Sequence, residues 1–130
     1  MLPGGRLAAD TAFGMAGVRR DEIDVMGASD HMTINVLLEL ESAGFCAPGE
    51  GGPFVEGGAI GLRGRLPINT DGGFLSSSHA ASSGVYTMIE LVRQLRGDAG
   101  PRQVPDARLA YVHGSGGVSS TQYGAVLARA

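Results

Sequence analysis

The sequence predicts an α/β fold built on a mixed sheet, and three observations predict it. Segments with strand character alternate with segments whose apolar residues recur at helical spacing, which implies mainly parallel strands joined by helical crossovers. The last two strand segments are separated by little more than Gly114, Ser115, Gly116 and Gly117, too short a connection for a crossover, so they close as an antiparallel hairpin. The chain has 130 residues, of which 43% are hydrophobic and 18% charged, the proportions of one globular domain with an adequate core.

The elements follow in order. Residues 7–17 form a helix with Leu7, Ala8, Thr11, Ala12 and Met15 at helical spacing and Gly17 as its stop. A polar turn over 19–22 leads to a short strand at 23–26, which ends in Gly27, Ala28, Ser29, Asp30 and His31. Ser29 or Asp30 caps a helix at 32–43. Its Ile34, Leu37, Leu38 and Leu40 are expected to face the core, with Asn35, Glu39 and Glu41 toward water. Residues 45–64 hold too many glycines for a long regular element and read as a loop with a small hairpin around Phe54 and Ile60. A loop of that length in a small domain is usually functional or interfacial. A strand at 66–70 follows, and its Pro67 places it at a strand start or sheet edge. Asp71, Gly72 and Gly73 turn the chain into a serine-rich stretch carrying His79. A helix at 80–96 presents Val85, Met88, Ile89, Val92 and Leu95, and strands at 108–113 and 120–128 complete the fold.

Composition removes several classes of function. No apolar run approaches the roughly 20 residues of a membrane span. The first ten residues lack the basic and apolar regions of a signal peptide, so none is expected. A net charge of −3, spread without blocks, argues against nucleic acid as a partner. All ten basic residues are arginine, which excludes a Schiff-base lysine and a Walker lysine. The single cysteine fits a reducing compartment, and a cytoplasmic location is expected.

Three histidines, His31, His79 and His113, each fall at or just past the end of an expected strand, where open α/β sheets bind ligands. His79 is the strongest candidate, because it lies in a Ser/Gly loop that feeds a helix N-terminus. The rival chemistries have no support. Histidine spacings of the HxxxH kind are absent, so no metal is expected, and there is no GxSxG for a serine hydrolase. Cys46 reads as a buried structural thiol.

The stretches AGVRRDEIDV, TINVLLELESAGFCAPGEGGPFVEGG, LPINTDGG, ELVRQLRGDAGPRQVP and YVHGSGG, in this order, carry a resemblance. The chain resembles the C-terminal part of the thiolase superfamily, most closely its sterol-carrier and lipid-transfer thiolase-like branch, which includes aldolases acting on acyl-CoA side chains of steroids. The resemblance implies a half-domain with a five-stranded sheet of order 3-2-1-4-5 and helices on both faces. It also implies that this chain starts after the central first strand, so that the 23–26 and 108–113 strands would lack their shared neighbour. For the site, it implies that His79, after the Asn69, Gly72 and Gly73 stretch, activates a nucleophile and binds a thioester oxygen. Ser29, Asp30 and His31 then correspond to a second catalytic loop, with His31 and Asp30 able to move protons. His113, Gly114, Ser115, Gly116 and Gly117 stand where a late Cys-x-Gly motif is usual, without its cysteine. No cofactor is implied beyond the CoA thioester substrate. The nucleophilic cysteine of the family belongs to an N-terminal half, so the resemblance implies a homo- or hetero-oligomer and, for some members, an OB-fold partner. Two readings follow: a carbon–carbon bond-forming or -cleaving acyl-CoA enzyme completed by another half, or a non-catalytic remnant or assembly subunit. A small lipid binder is a third.

Overall fold

The computed structural model describes residues 2–77, 83–117 and 119–130. Helix α1 spans Pro3–Ala16, with proline in the first turn, where its missing N–H leaves no bond unmade, and Gly17 at its end. Its buried stripe is Gly5, Ala9 and Phe13, while Leu7 and Met15 stand in solvent at 72% and 85% exposure. The expected face is thus corrected. The face with the smallest residues is the one that lets the helix sit close: a Cβ on Gly5 would stand 2.9 Å from Ser42 Cβ and 3.1 Å from the His113 ring. Phe13 then packs at 4.9 Å on the Tyr111 ring and edge-on to Phe45 at 6.1 Å. Burying such a ring contributes on the order of 2–3 kcal/mol.

Strand β1 (Val25–Gly27) pairs in parallel with β2 (Leu109–Gly116), and β2 pairs antiparallel with β3 (Thr121–Ala128), giving the sheet order β1-β2-β3. The vacancy expected between the 23–26 and 108–113 segments is therefore not present: the two are direct neighbours. On its other side β1 meets the 66–70 segment through a single parallel bridge, Met26 with Ile68. The Met26 amide donates to Pro67 O at 2.9 Å, and the Asn69 amide donates to Met26 O at 3.0 Å. β2, paired along both of its edges, holds the central place. Pro67, lacking an N–H, holds its segment to an edge, as its identity predicts.

Helix α2 (Thr33–Ala43) packs with α1 against one face of the sheet, and α5 (Ser83–Arg96) covers the other, so helices lie on both faces. Residues alternate along β2 accordingly. Tyr111 joins the core with Ala9, Phe13, Met26 and Leu40, whereas Ala110 and Val112 join Val25, Leu91 and Leu95. In place of a hairpin, the 45–64 segment folds into helix α3 (Gly51–Val55) and a 3-10 turn (Glu56–Gly58). Glu41 Oε1 accepts from the Gly51 amide at 3.2 Å at the start of α3, which favours a helical turn over a strand. The Ala59 and Ile60 carbonyls then accept from the Leu66 and Ile68 amides, laying this segment back on the sheet edge.

The exposed side of α5 is also not the expected one. Val85 and Ile89 are exposed, while Thr87, Glu90, Leu91, Gln94 and Leu95 are buried. The buried polar groups form a knot. Arg102 binds both Glu90 oxygens, Nε to Oε1 at 2.9 Å and Nη2 to Oε2 at 2.8 Å, while the Thr70 hydroxyl donates to Oε1 at 2.8 Å. Gln94 donates to Thr70 Oγ1 and to Arg102 O, and accepts from the Val104 amide at 2.7 Å. Burial works to raise the Glu90 carboxyl, but its bonds from Arg102, Thr70 and Gln94 outweigh that and hold it below the ordinary range. Arg102→Ala strips a carboxylate only 4% exposed of its bidentate partner. Because Arg102 itself is about one-third exposed, the expected loss is about 2 kcal/mol by urea denaturation, and Glu90→Gln in the same chain should recover part of it.

Candidate functional site beyond the strand ends

The loop after β1 and the end of β2 converge. The Ser115 amide donates to Ser29 Oγ at 3.2 Å, and the Ser29 amide donates to Glu39 Oε2 at 2.9 Å. Asp30 Oδ1 accepts from the Phe74 amide at 2.7 Å, at the first turn of the short helix α4 (Gly73–Ser76). Asn69 supplies what a β-strand would: its Oδ1 accepts from the Ala28 amide at 2.9 Å and its Nδ2 donates to Ala28 O at 3.0 Å. The Asn-x-x-Gly-Gly stretch thus extends the edge pairing by a side chain and aims α4 at Asp30. His31 Nε2 lies 2.9 Å from Asn35 Nδ2, and its ring stacks on Phe74 at 6.5 Å.

Ser29, Asp30, His31, Asn69, Gly72 and Gly73 are therefore brought together, as the sequence suggested. His79 lies outside the described residues. His113 is placed elsewhere. β2 continues through Gly116, so His113 is a mid-strand residue, 1% exposed, beneath Gly5. Tyr111 Oη and Gln122 Oε1 each lie 2.9 Å from its two ring nitrogens. Gln122 Nε2 donates to Ser119 O, which leaves Oε1 to accept, so the ring is the neutral Nε2–H tautomer with Nδ1 accepting from the tyrosine. Burial lowers its pKa, against the Gln122 bond that raises it. Gly116 ends β2 and Gly117 makes the turn to β3, with the Ser120 hydroxyl donating to Gly117 O.

One residue at this site was missed: Glu39, expected in water, is 1% exposed, and Ser115 of the late glycine-rich stretch meets Ser29 beside it. A signal existed for Glu39: Val36, Leu37, Leu38, Leu40 and Ala43 surround α2, leaving no purely polar face on which a carboxylate would stay wet. Burial raises the Glu39 carboxyl to about 8, against the hydrogen bond from the Ser29 amide.

A groove of about 500 Å³ opens beside these groups, walled by Ile34, Leu37, Val55, Ile60, Ile68 and Leu75, with Asp30, Asn69 and Gly72 at its polar end. A second cavity, about 650 Å³, is lined by Arg19, Arg20, Arg65, Phe45 and Phe54 and includes none of the expected site residues. Its arginines are engaged: Arg19 with Asp21 and Glu22, Arg20 with Asp10 and Ala43 O, and Arg65 over the Phe54 ring. Among the described residues, no cluster of three or more metal-ligating side chains occurs. No helix among them is long and apolar enough to cross a membrane.

The arrangement is that of an open α/β domain that gathers its polar groups beyond the carboxyl ends of its strands. More narrowly, the chain belongs to the thiolase C-terminal domain-like family, whose model matches residues 2–129. It is similar to an acetyl-CoA acetyltransferase of Methanothermobacter thermautotrophicus, 38% identical over 115 residues, which are 88% of this chain and 30% of that protein. It is likewise similar to sterol carrier protein 2 of Bos taurus, 38% identical over 84% of this chain and 20% of the relative. A third relative is the 17-hydroxy-3-oxo-4-pregnene-20-carboxyl-CoA lyase of Mycobacterium tuberculosis, 38% identical over 74% of this chain and 24% of that protein. Among solved structures, the Ltp2-ChsH2(DUF35) aldolase superposes with a TM-score of 0.87 at 33% identity, over 98% of this chain and 32% of the other. The chain thus spans between a fifth and a third of the length of these proteins.

Proposed function

We propose that this chain is the C-terminal part of a thiolase-like enzyme that makes or breaks a carbon–carbon bond in an acyl-CoA thioester, working with an N-terminal half or a partner subunit in the cytoplasm. The observation that carries the reading is the apolar groove opening onto Asp30, Asn69 and Gly72 beside Ser29 and His31. An acyl chain fits such walls, and the polar end offers groups for proton transfer. In the retro-aldol direction a base takes the proton of a β-hydroxyl, and the bond between the α- and β-carbons breaks. A carbonyl compound leaves, the thioester enolate remains, and a proton returns to its α-carbon. His31, Asp30 and His79 are the proposed proton carriers. No cofactor enters that sequence. Val85, Tyr86 and Ile89, exposed along α5, supply an apolar stripe for a completing half or an OB-fold partner.

The test is turnover of β-ketoacyl- and β-hydroxyacyl-CoA thioesters by the chain combined with an N-terminal thiolase half. His79→Ala is expected to lower turnover roughly 100-fold, the ordinary worth of one acid–base group. Equal activity with and without His79 removes its proposed role. The second reading is a non-catalytic assembly subunit. Size-exclusion chromatography separates the two further: a well-behaved monomer with sharp unfolding and no partner counts against the assembly reading.

A further inference from the structure

We infer that Glu39 is a proton-holding positioning residue of this site, which sets the direction in which the neighbouring Ser29 and Ser115 hydroxyls donate. The inference rests on the acyl-CoA reading only for what those hydroxyls would donate to. Glu39 is 1% exposed, its Oε2 accepts from the Ser29 amide at 2.9 Å, and the Ser29 and Ser115 hydroxyls lie close enough to favour its anion. Its other oxygen, Oε1, and Ser115 Oγ are both buried without a hydrogen-bond partner among the described residues. No arginine forms an ion pair with it among the described residues, and the charge that bears on it is another acid, Asp30. A carboxylate so placed is costly, whereas a neutral carboxyl is not.

The proton has a consequence for the serines. Ser29 Oγ already accepts from the Ser115 amide, so its own hydrogen is available to donate. While Glu39 holds its proton, its O–H is a donor to one of the hydroxyls beside it, and the hydroxyls direct their hydrogens away from the carboxyl. Once the proton leaves, the carboxylate becomes acceptor-only, and the hydroxyls turn inward to it. The hydrogen bonds that join the loop after β1 to the end of β2 would be rearranged in that form, with no change in fold. The titratable and charged groups that face Glu39 are Asp30 from the loop after β1, Tyr111 from β2 and Tyr123 from β3. Asp30 disfavours the Glu39 anion, and the Glu39 anion in turn raises both phenols. The two tyrosines therefore stay neutral across the range in which Glu39 titrates, and the switch belongs to Glu39.

Carboxyl NMR of the glutamate-labelled chain between pH 5 and 10 tests this directly. One side-chain carboxyl should titrate with a midpoint near 8, and it should be missing in Glu39→Gln. The Ser29 and Ser115 amide signals should move with the same midpoint in the wild-type chain and stay still in Glu39→Gln. A Glu39 carboxyl that titrates in the ordinary range overturns the inference, as do serine signals indifferent to it. If Glu39→Gln does not fold, the wild-type titration alone decides. In the complemented enzyme, kcat should fall above the same midpoint, and Glu39→Gln should remove that limb. An inactive complemented enzyme would count against the acyl-CoA function, while the carboxyl and serine titrations would still decide the role of Glu39.

Discussion

Gly73→Ala should cost about 3 kcal/mol of stability and dismantle the site, an effect measurable by thermal and urea denaturation. Two independent penalties coincide at this position. Gly73 holds φ at 65°, a conformation in which an alanine is strained by about 1 kcal/mol or more. Its Cβ would also overlap the Asp30 carboxylate and would stand 2.7 Å from Asn69 Nδ2. Overpacking of that kind costs a further 1–3 kcal/mol when neighbours cannot yield. These neighbours are held. Asp30 Oδ1 is fixed by the Phe74 amide, and Asn69 grips both polar atoms of the Ala28 backbone. The alanine must therefore break the Asp30 bond, the Asn69 clamp, or the left-handed turn that starts α4. Gly52→Ala is the control, because nothing lies within 4 Å of a Cβ there and its φ is not in the left-handed region. A Gly73→Ala chain as stable as the Gly52→Ala chain would show that the Asp30 and Asn69 contacts are slack.

The same glycine shows how much of the site could be read from the residues alone. Asn69, Gly72 and Gly73 stand out as a motif, and the structure gives each a physical task, so this part of the site was legible. The strands and the two long crossover helices were legible for a similar reason: local pattern and local hydrogen bonding agree there. What failed was the assignment of faces. Leu7 and Met15 in α1 lost to Gly5 and Ala9, because close approach to Ser42 and His113 rewards small side chains more than apolar ones. Asn35, Glu39 and Glu41 in α2 were assigned to water on polarity. Yet each meets a partner from a distant or irregular segment: His31, the Ser29 amide and the Gly51 amide. A buried polar residue is legible only when its partner is known, and those partners lie in loops whose paths are tertiary. The gap expected in the sheet came from the strand order carried over with the resemblance, whereas β1 and β2 pair directly. His113 was judged by its place in sequence near the end of a strand. Three further residues of ladder, through Gly116, carry that end past it.

Above pH 5 the stability of the chain should fall through neutrality, and Glu39→Gln should abolish most of that fall. The carboxyl holds its proton to about pH 8 in the folded chain but would release it near 4.5 once exposed to water. Between those limits the folded state binds more protons than the unfolded one, so each step up in pH favours unfolding. Stability from this group is complete below about 4.5 and lost as pH rises through about 8, in total on the order of 4–5 kcal/mol. His113 works with the opposite sign. Its folded pKa lies below 6.5, so it gains the chain stability as pH rises toward 6.5 and contributes no slope beyond. The Cys46 thiol, raised by burial above its ordinary 9.0, adds its own loss only at more alkaline pH. Between 7 and 8.5 the slope therefore belongs to Glu39. Glutamine keeps a carbonyl to accept from the Ser29 amide and cannot ionise, so the variant separates the proton from the shape of the side chain. Urea midpoints at pH 5, 7 and 8.5 decide the matter. The difference between wild type and Glu39→Gln should shift steadily in favour of the variant, and a difference that stays constant across the three would mean that Glu39 is ionised at neutral pH in the folded chain.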